Sequence, residues 1–292
     1  MHPTLEKLLS HGPVVTDGAW GTQLQQRGLP IGACPDEWNL TNPDKVEAVA
    51  RGYVDAGSQV ILSNSFGASR MMLERNGLDA KTVEINRAAA AISKKAAAGR
   101  ALVFASIGPT GKMLMMEDCT EDEMFATYAE QAKALAEGGA DGLVVETMAD
   151  IAEAVIALKA AKATGLPVVV SMVFDSGSQK DHTMMGVTPE ESVKALDAAG
   201  ADVVGANCGQ GVEGFIAICK RMRAVTKLPL WMKANAGLPV MRDGKALYEI
   251  TPAQFAVHIP ALLAAGANFV GGCCGTNPDF IRAVCGVVSR TK

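Results

Sequence analysis

Short aliphatic and β-branched runs alternate with amphipathic stretches along the whole chain, and the joints between them repeat. Asp55-Ala56-Gly57 leads into the run 59–62, Gly138-Gly139-Ala140-Asp141 into 143–145, Ala199-Gly200-Ala201-Asp202 into Val203-Val204, and Ala265-Gly266-Ala267-Asn268 into Phe269-Val270. Each joint places a glycine where a helix must stop in a left-handed conformation, followed by a short buried strand. The pattern predicts strands at 14–16, 60–63, 102–106, 142–146, 168–173, 203–207, 230–233 and 269–272. Helices are predicted to start at Thr120 with Glu123, Thr188 with Pro189 and Glu191, and Thr251 with Pro252 and Gln254. Asn42 and Asn277, each followed by proline, mark two more. Phe125, Tyr128, Ala132 and Leu135 form one predicted inward face, Val193 and Leu196 another. Eight buried strands alternating with helices across 292 residues predict an α/β protein, a single (β/α)8 TIM barrel that takes residues 1–292 as one domain. A doubly wound sheet is the main alternative, but Asp17-Gly18-Ala19-Trp20-Gly21 after the first strand lacks the third glycine of a dinucleotide loop.

Composition narrows the function. Hydrophobic residues make up 49% and charged residues 20%, enough apolar material for one large core and too few charges for a disordered chain. The net charge is −4 and no basic run is interleaved with aromatics, so no nucleic-acid surface is expected and the partner should be a small molecule. Residues 250–278 carry no Asp, Glu, Lys or Arg, long enough for a membrane span. Pro252, His258, Pro260, Gly266 and the Gly271–Gly275 turn break it into a buried helix and a buried strand, so no membrane association is expected. The N-terminus has no secretory pattern and the seven cysteines are an odd number, which points to a reducing compartment, the cytoplasm.

In a barrel the active site lies at the C-terminal strand ends. Those ends read Asp17, Asn64-Ser65, Gly108-Pro109-Thr110, Glu146-Thr147, Asp175, Asn207-Cys208, Asn235 and Cys273-Cys274, which brings three of the seven cysteines to one rim. The Met113–Met116 segment after the third strand is either a lid or a packed loop. Strands six and eight are separated by one neighbour, so Cys208, Cys273 and Cys274 can reach one metal ion. Three thiolates suit zinc and leave its fourth tetrahedral position open. Neighbouring cysteines on a regular strand face opposite ways, so the chain must leave the ladder there, a freedom expected from Gly271, Gly272 and Gly275. Two other readings stay open: ordinary packed thiols, or a redox-active vicinal pair acting as a zinc or thiol sensor.

Several motifs carry a resemblance. Asp17-Gly18-Ala19-Trp20-Gly21-Thr22, Ser63-Asn64-Ser65-Phe66-Gly67-Ala68, Ser106-Ile107-Gly108-Pro109-Thr110-Gly111, Val145-Glu146-Thr147, Asn207-Cys208, Asn235-Ala236-Gly237 and Gly271-Gly272-Cys273-Cys274-Gly275-Thr276 together resemble the homocysteine S-methyltransferase family. The chain is similar in particular to the homocysteine-binding module of cobalamin-dependent methionine synthase, notably at Phe255-Ala256-Val257-His258-Ile259. The resemblance implies a cytoplasmic zinc methyltransferase whose metal sits on Cys208, Cys273 and Cys274, with the zinc-bound thiolate of homocysteine attacking the methyl group to give methionine. It implies that Glu146 holds the homocysteine ammonium and that Asp17, the backbone at Gly18 and Ala19, and Ser65 fix the amino-acid end. Asn235 would stand near the metal, with Glu146 part of the catalytic apparatus. The donor could be betaine or another onium compound, S-methylmethionine, or a methylcorrinoid on a separate protein. Methylation of a different thiol, or a place within a corrinoid-dependent demethylation system, is the alternative activity.

A magnitude limits what the metal supplies. A thiol of pKa near 8.5 is about 3% ionised at pH 7, so full ionisation gains roughly 30-fold. A pKa lowered by about three units forfeits roughly 15- to 30-fold in nucleophilicity. The two nearly cancel, which leaves aiming the sulfur in a dry site as the main gain.

Overall fold

The computed structural model describes residues 1–242 and 245–290. Its strands, in chain order, are β1 (Val14–Val15), β2 (Val60–Ile61), β3 (Leu102–Ile107), β4 (Gly142–Met148), β5 (Val168–Met172), β6 (Val203–Gly211), β7 (Leu230–Asn235), β8 (Val240–Arg242), β9 (Lys245–Leu247) and β10 (Phe269–Gly272). All strands but β8 and β9 form one parallel sheet in the order β1-β10-β7-β6-β5-β4-β3-β2. A parallel bridge from Thr16 to Val60 and the Gln59 amide on the Val15 carbonyl at 2.8 Å join its two edges. The result is the expected barrel with helices between the strands. The eight predicted strands are all present. Gly57, Gly139, Gly200 and Gly266 at the repeated joints all have positive φ.

Side-chain alternation along each strand sorts the lumen into layers. The lower layer is apolar: Val14, Val60, Phe104, Val144, Val169, Val203, Trp231 and Phe269, with Leu5 of the helix Pro3–Leu9 closing the base. Two positions further along the same faces the lumen turns polar, with Thr16, Ser106, Glu146, Ser171 and Lys233 all buried, as is Asn207 four positions beyond Val203. Buried polar groups are tolerated only when paired, so this second layer is the floor of a site rather than a continuation of the core.

One glycine shows how tightly the apolar layer is filled. A Cβ on Gly205 would lie 1.9 Å from the Trp231 carbonyl oxygen and 2.7 Å from its Cβ. Gly205→Ala is therefore expected to destabilise the barrel by about 3 kcal/mol through overpacking, read as a lowered urea midpoint. An unchanged midpoint would show that β6 and β7 can separate locally.

Four details differ from expectation. Met124, not Phe125, joins Tyr128, Ala132 and Leu135 on the inward face of the helix Glu121–Glu137; Phe125 is 41% exposed. Thr120, Thr188 and Thr251 form capping boxes and Asn277 caps with its side chain, but Asn42 makes no capping bond and donates to the Thr41 hydroxyl instead. The hairpin β8–β9 was not anticipated between β7 and β10. His258, expected within a buried helix, is half-buried and faces Glu213 at 3.2 Å.

Candidate active site

β6 and β10 end on one rim with β7 between them, as the chain order requires. Cys208 lies where the β6 register breaks between Asn207 and Gly211, and its φ is +63°. Across the rim, Thr147 has a φ of +61° at the matching break in β4. Left-handed backbone at non-glycine residues costs about 1–3 kcal/mol each and persists only where neighbours impose it. Asn207 does so for Thr147: its Oδ1 accepts from the Thr147 amide (2.9 Å) and Ser171 hydroxyl (2.6 Å), and its Nδ2 donates to the Thr147 hydroxyl (2.6 Å). Cys273 still donates its amide to Ala234 (2.7 Å), after which Gly275, at φ +82°, turns the chain back. Of the three glycines credited with this freedom, only Gly275 has positive φ. Gly271 and Gly272 serve close packing, since a Cβ on either would meet Thr16 or Thr276 at 2.0 or 2.3 Å.

The three thiols converge. Each Sγ of Cys208, Cys273 and Cys274 lies within 4.8 Å of the other two, and Cys208 and Cys274 are 3.7 Å apart. Among the described residues this is the one such group of histidine, cysteine or carboxylate side chains. Cys34, Cys119, Cys219 and Cys285 lie outside it, and all seven cysteines are free. Thiol hydrogen bonds from Cys273 and Cys274, with the Gly209 amide and Asn235 side chain, hold Cys208 down at about 3. Cys273 and Cys274 are pushed up, first by that neighbouring sulfur. Two thiols donating toward the Cys208 sulfur favour its ionised form, and a dication would discharge the remaining protons. Asn235 packs against Cys208 while its Oδ1 is buried without a partner, an oxygen donor unused by the fold. Three sulfurs, one idle oxygen and an open side toward the cavity fit a bound metal.

A cavity of 520 Å³ opens above the cluster. Its lining includes Gly18, Ala19, Ser65, Ser106, Glu146, Thr147, Lys233 and the three cysteines, then extends past Phe66 to Cys34, Asp36 and Met72. Glu146 is 7% exposed, accepts from the Ser106 hydroxyl at 2.5 Å, and is pushed up first by burial. Ser65 donates to the Ser106 carbonyl (2.7 Å) and pairs with Ser63. The Ala19 amide is taken by Thr276 at 3.2 Å. Asp17 is fully buried and sits beneath the lining rather than in it. One of its oxygens binds Lys233 Nζ; the other accepts from Trp20 Nε1 (2.8 Å) and the Leu62 amide (2.7 Å).

Lys233, Asp36 and Tyr248 are not marked as site residues by the sequence, and Asn207 is marked only by its strand end, with no role. Burial opposes the Lys233 charge, but Asp17 and Glu146 outweigh it and hold its pKa above the ordinary value. Asp36 caps the Gly67 amide at 3.2 Å and is pushed up to about 6, first by burial. Tyr248 packs over Gly275 beside Cys274, and burial followed by the sulfur charges pushes it up to about 12. The Met113–Met116 segment ends in a short 3-10 turn at Leu114–Met116, is exposed at its methionines and does not line the cavity.

The model of the homocysteine S-methyltransferase family matches residues 14–288. The chain belongs to that family. Methionine synthase of Mycobacterium leprae is 28% identical over 98% of this chain, and that of Mycobacterium tuberculosis is equally similar. The chain spans about a quarter of the length of these curated relatives. The homocysteine methyltransferase MmuM of Escherichia coli, solved in a metallated form, superposes with a TM-score of 0.81 at 25% identity. That match covers 96% of this chain and 98% of MmuM. Among the described residues no helix is long and apolar enough to cross a membrane.

Proposed function

We propose that this chain transfers a methyl group to the sulfur of homocysteine, giving methionine, with zinc as the metal held by Cys208, Cys273 and Cys274. The observation that carries this reading is the convergence of three thiols at a cavity whose polar floor is built from inward-facing strand residues. Zinc bound there supplies a free coordination position and the charge that keeps an acceptor sulfur ionised at neutral pH.

The chain's own residues do the rest. Glu146 faces the cavity from an otherwise apolar strand, and Ser106 fixes its orientation. A buried carboxylate in this position suits the acceptor ammonium, as its one side-chain hydrogen-bond partner among the described residues is a hydroxyl. Gly18 and Ser65 line the amino-acid end, and Asp17 reaches it through Lys233. Asn235 steadies Cys208. Together they aim the sulfur toward the open lobe and exclude water around it, where orientation gives most of the acceleration.

The lobe toward Phe66, Cys34 and Met72 leaves room for a donor beside the acceptor. A small onium donor would fit within it. Exposed apolar side chains in the segments that follow β1, β2, β3, β5 and β7, namely Ile31, Phe66, Met115, Met184 and Leu238, equally suit a methylcorrinoid brought by a separate protein. Purified metal-loaded protein assayed with homocysteine and betaine, S-methylmethionine, dimethylsulfoniopropionate or methylcobalamin distinguishes them. Glu146→Gln should raise the homocysteine KM about 10- to 100-fold, the loss of one charged hydrogen bond, with metal content unchanged. Metal loss in that variant, at normal KM, would place Glu146 in the metal's support instead. A vicinal disulfide forming reversibly under oxidant, with no methyl transfer, would favour the sensor reading.

A further inference from the structure

Lys233 is 1% exposed, yet it lines the cavity, and it is the one lysine or arginine among the described lining residues. It points inward from β7 at the level where its partner on β10 is Gly271. With no side chain at Gly271, nothing on β10 stands between Lys233 and β1, and Nζ reaches Asp17 at the β1 end. Asp17 cannot turn toward the cavity, because its second oxygen holds Trp20 and the Leu62 amide. The ion pair therefore anchors the ammonium at one end of the cavity floor. An ammonium has three donor hydrogens, and Asp17 is its one hydrogen-bond partner among the described residues. The neighbouring Gly18 amide also has no acceptor among them. Across the floor stands Glu146, of opposite sign.

This arrangement has a direction: a cation and a free amide at the β1 end, a carboxylate on β4, and the thiols at the rim. We propose that Lys233 is a specificity-determining residue that reads the acidic end of the thiol acceptor, its ammonium and the Gly18 amide taking the acceptor's carboxylate. Burial makes the contact selective, because an acceptor without that carboxylate leaves the cation partly unsatisfied in a dry site. The proposal rests on the reading of this cavity as a thiol-acceptor site.

Calorimetry on the metal-loaded protein tests it without knowledge of the donor. The ligands are L-homocysteine, 4-mercaptobutyrate, which lacks the amine, and 3-mercaptopropylamine, which lacks the carboxylate. Wild-type protein should bind 3-mercaptopropylamine about 10- to 100-fold more weakly than homocysteine. Lys233→Met should weaken homocysteine by a similar factor and leave 3-mercaptopropylamine nearly unchanged, so the two ligands converge. A purely structural role would weaken both alike. If Lys233→Met does not fold, the Lys233→Met and Asp17→Asn double variant restores neutrality, and the wild-type ligand pair already decides. Equal binding of homocysteine and 3-mercaptopropylamine by wild-type protein overturns the proposal and leaves the thiol reading standing. Failure of all three thiols to bind overturns the thiol reading itself.

Discussion

Cys273→Ser is expected to take bound zinc from about one equivalent per chain to near zero and to abolish methyl transfer. A serine hydroxyl is far harder to ionise than a thiol and is a poor partner for a metal that prefers sulfur and nitrogen. Two remaining thiols, with Asn235 alone beside them, do not make a closed set. The fold should survive, because Cys273 is held through its backbone: its amide on Ala234 at 2.7 Å and its carbonyl accepting from Thr276 at 3.1 Å. Metal analysis and a thermal melt on the same sample separate the two effects. Retained zinc with retained turnover would show that Cys208 and Cys274 suffice, and the three-thiol account would fall.

Asp17→Ala is expected to lower stability by about 3–5 kcal/mol, the cost of stranding a buried ion. Three donors lose their acceptor at once: Lys233 Nζ, the Leu62 amide and Trp20 Nε1. The lysine is the worst placed, since it has almost no solvent access. Pairing Asp17→Asn with Lys233→Met should recover most of the loss, because a neutral amide can still accept from the backbone and no charge is left unpaired. Urea unfolding of the single and double variants measures it. A single variant as stable as wild type would mean that water reaches Lys233 and that the floor is not dry.

Much of this architecture is legible from residue order. Strands covered on both faces read as short continuous apolar runs, as in residues 168–170 of β5, and each is preceded by a glycine-terminated helix or a short turn. Strand ends then name the rim, and the rim names the cysteines. Glu146 is named by its strand end and its motif, and it stands out as a charged residue that follows the apolar residues 143–145. The same argument applies to Leu230-Trp231-Met232-Lys233, but there the lysine passed as a strand boundary. Its partner Asp17 lies 216 residues away, and neither periodicity nor spacing connects them. Asp36 was hidden for a similar reason, since its role depends on a loop folding back onto Gly67. The Phe125 error is one of phase: Met124 and Phe125 are adjacent apolar residues about 100° apart on a helix, and Tyr128 is compatible with either. The hairpin β8–β9 spans only a few residues per strand and carries no long alternating run.

The proposed function requires an acceptor thiol to be ionised and held at the three-cysteine cluster. Titrating L-homocysteine into zinc-loaded protein, in two buffers of different ionisation enthalpy, tests it most directly. One homocysteine should bind per chain with release of its thiol proton, and that release should be lost in Cys273→Ser. Homocysteine binding that releases no proton, or that proceeds equally in Cys273→Ser, would contradict it.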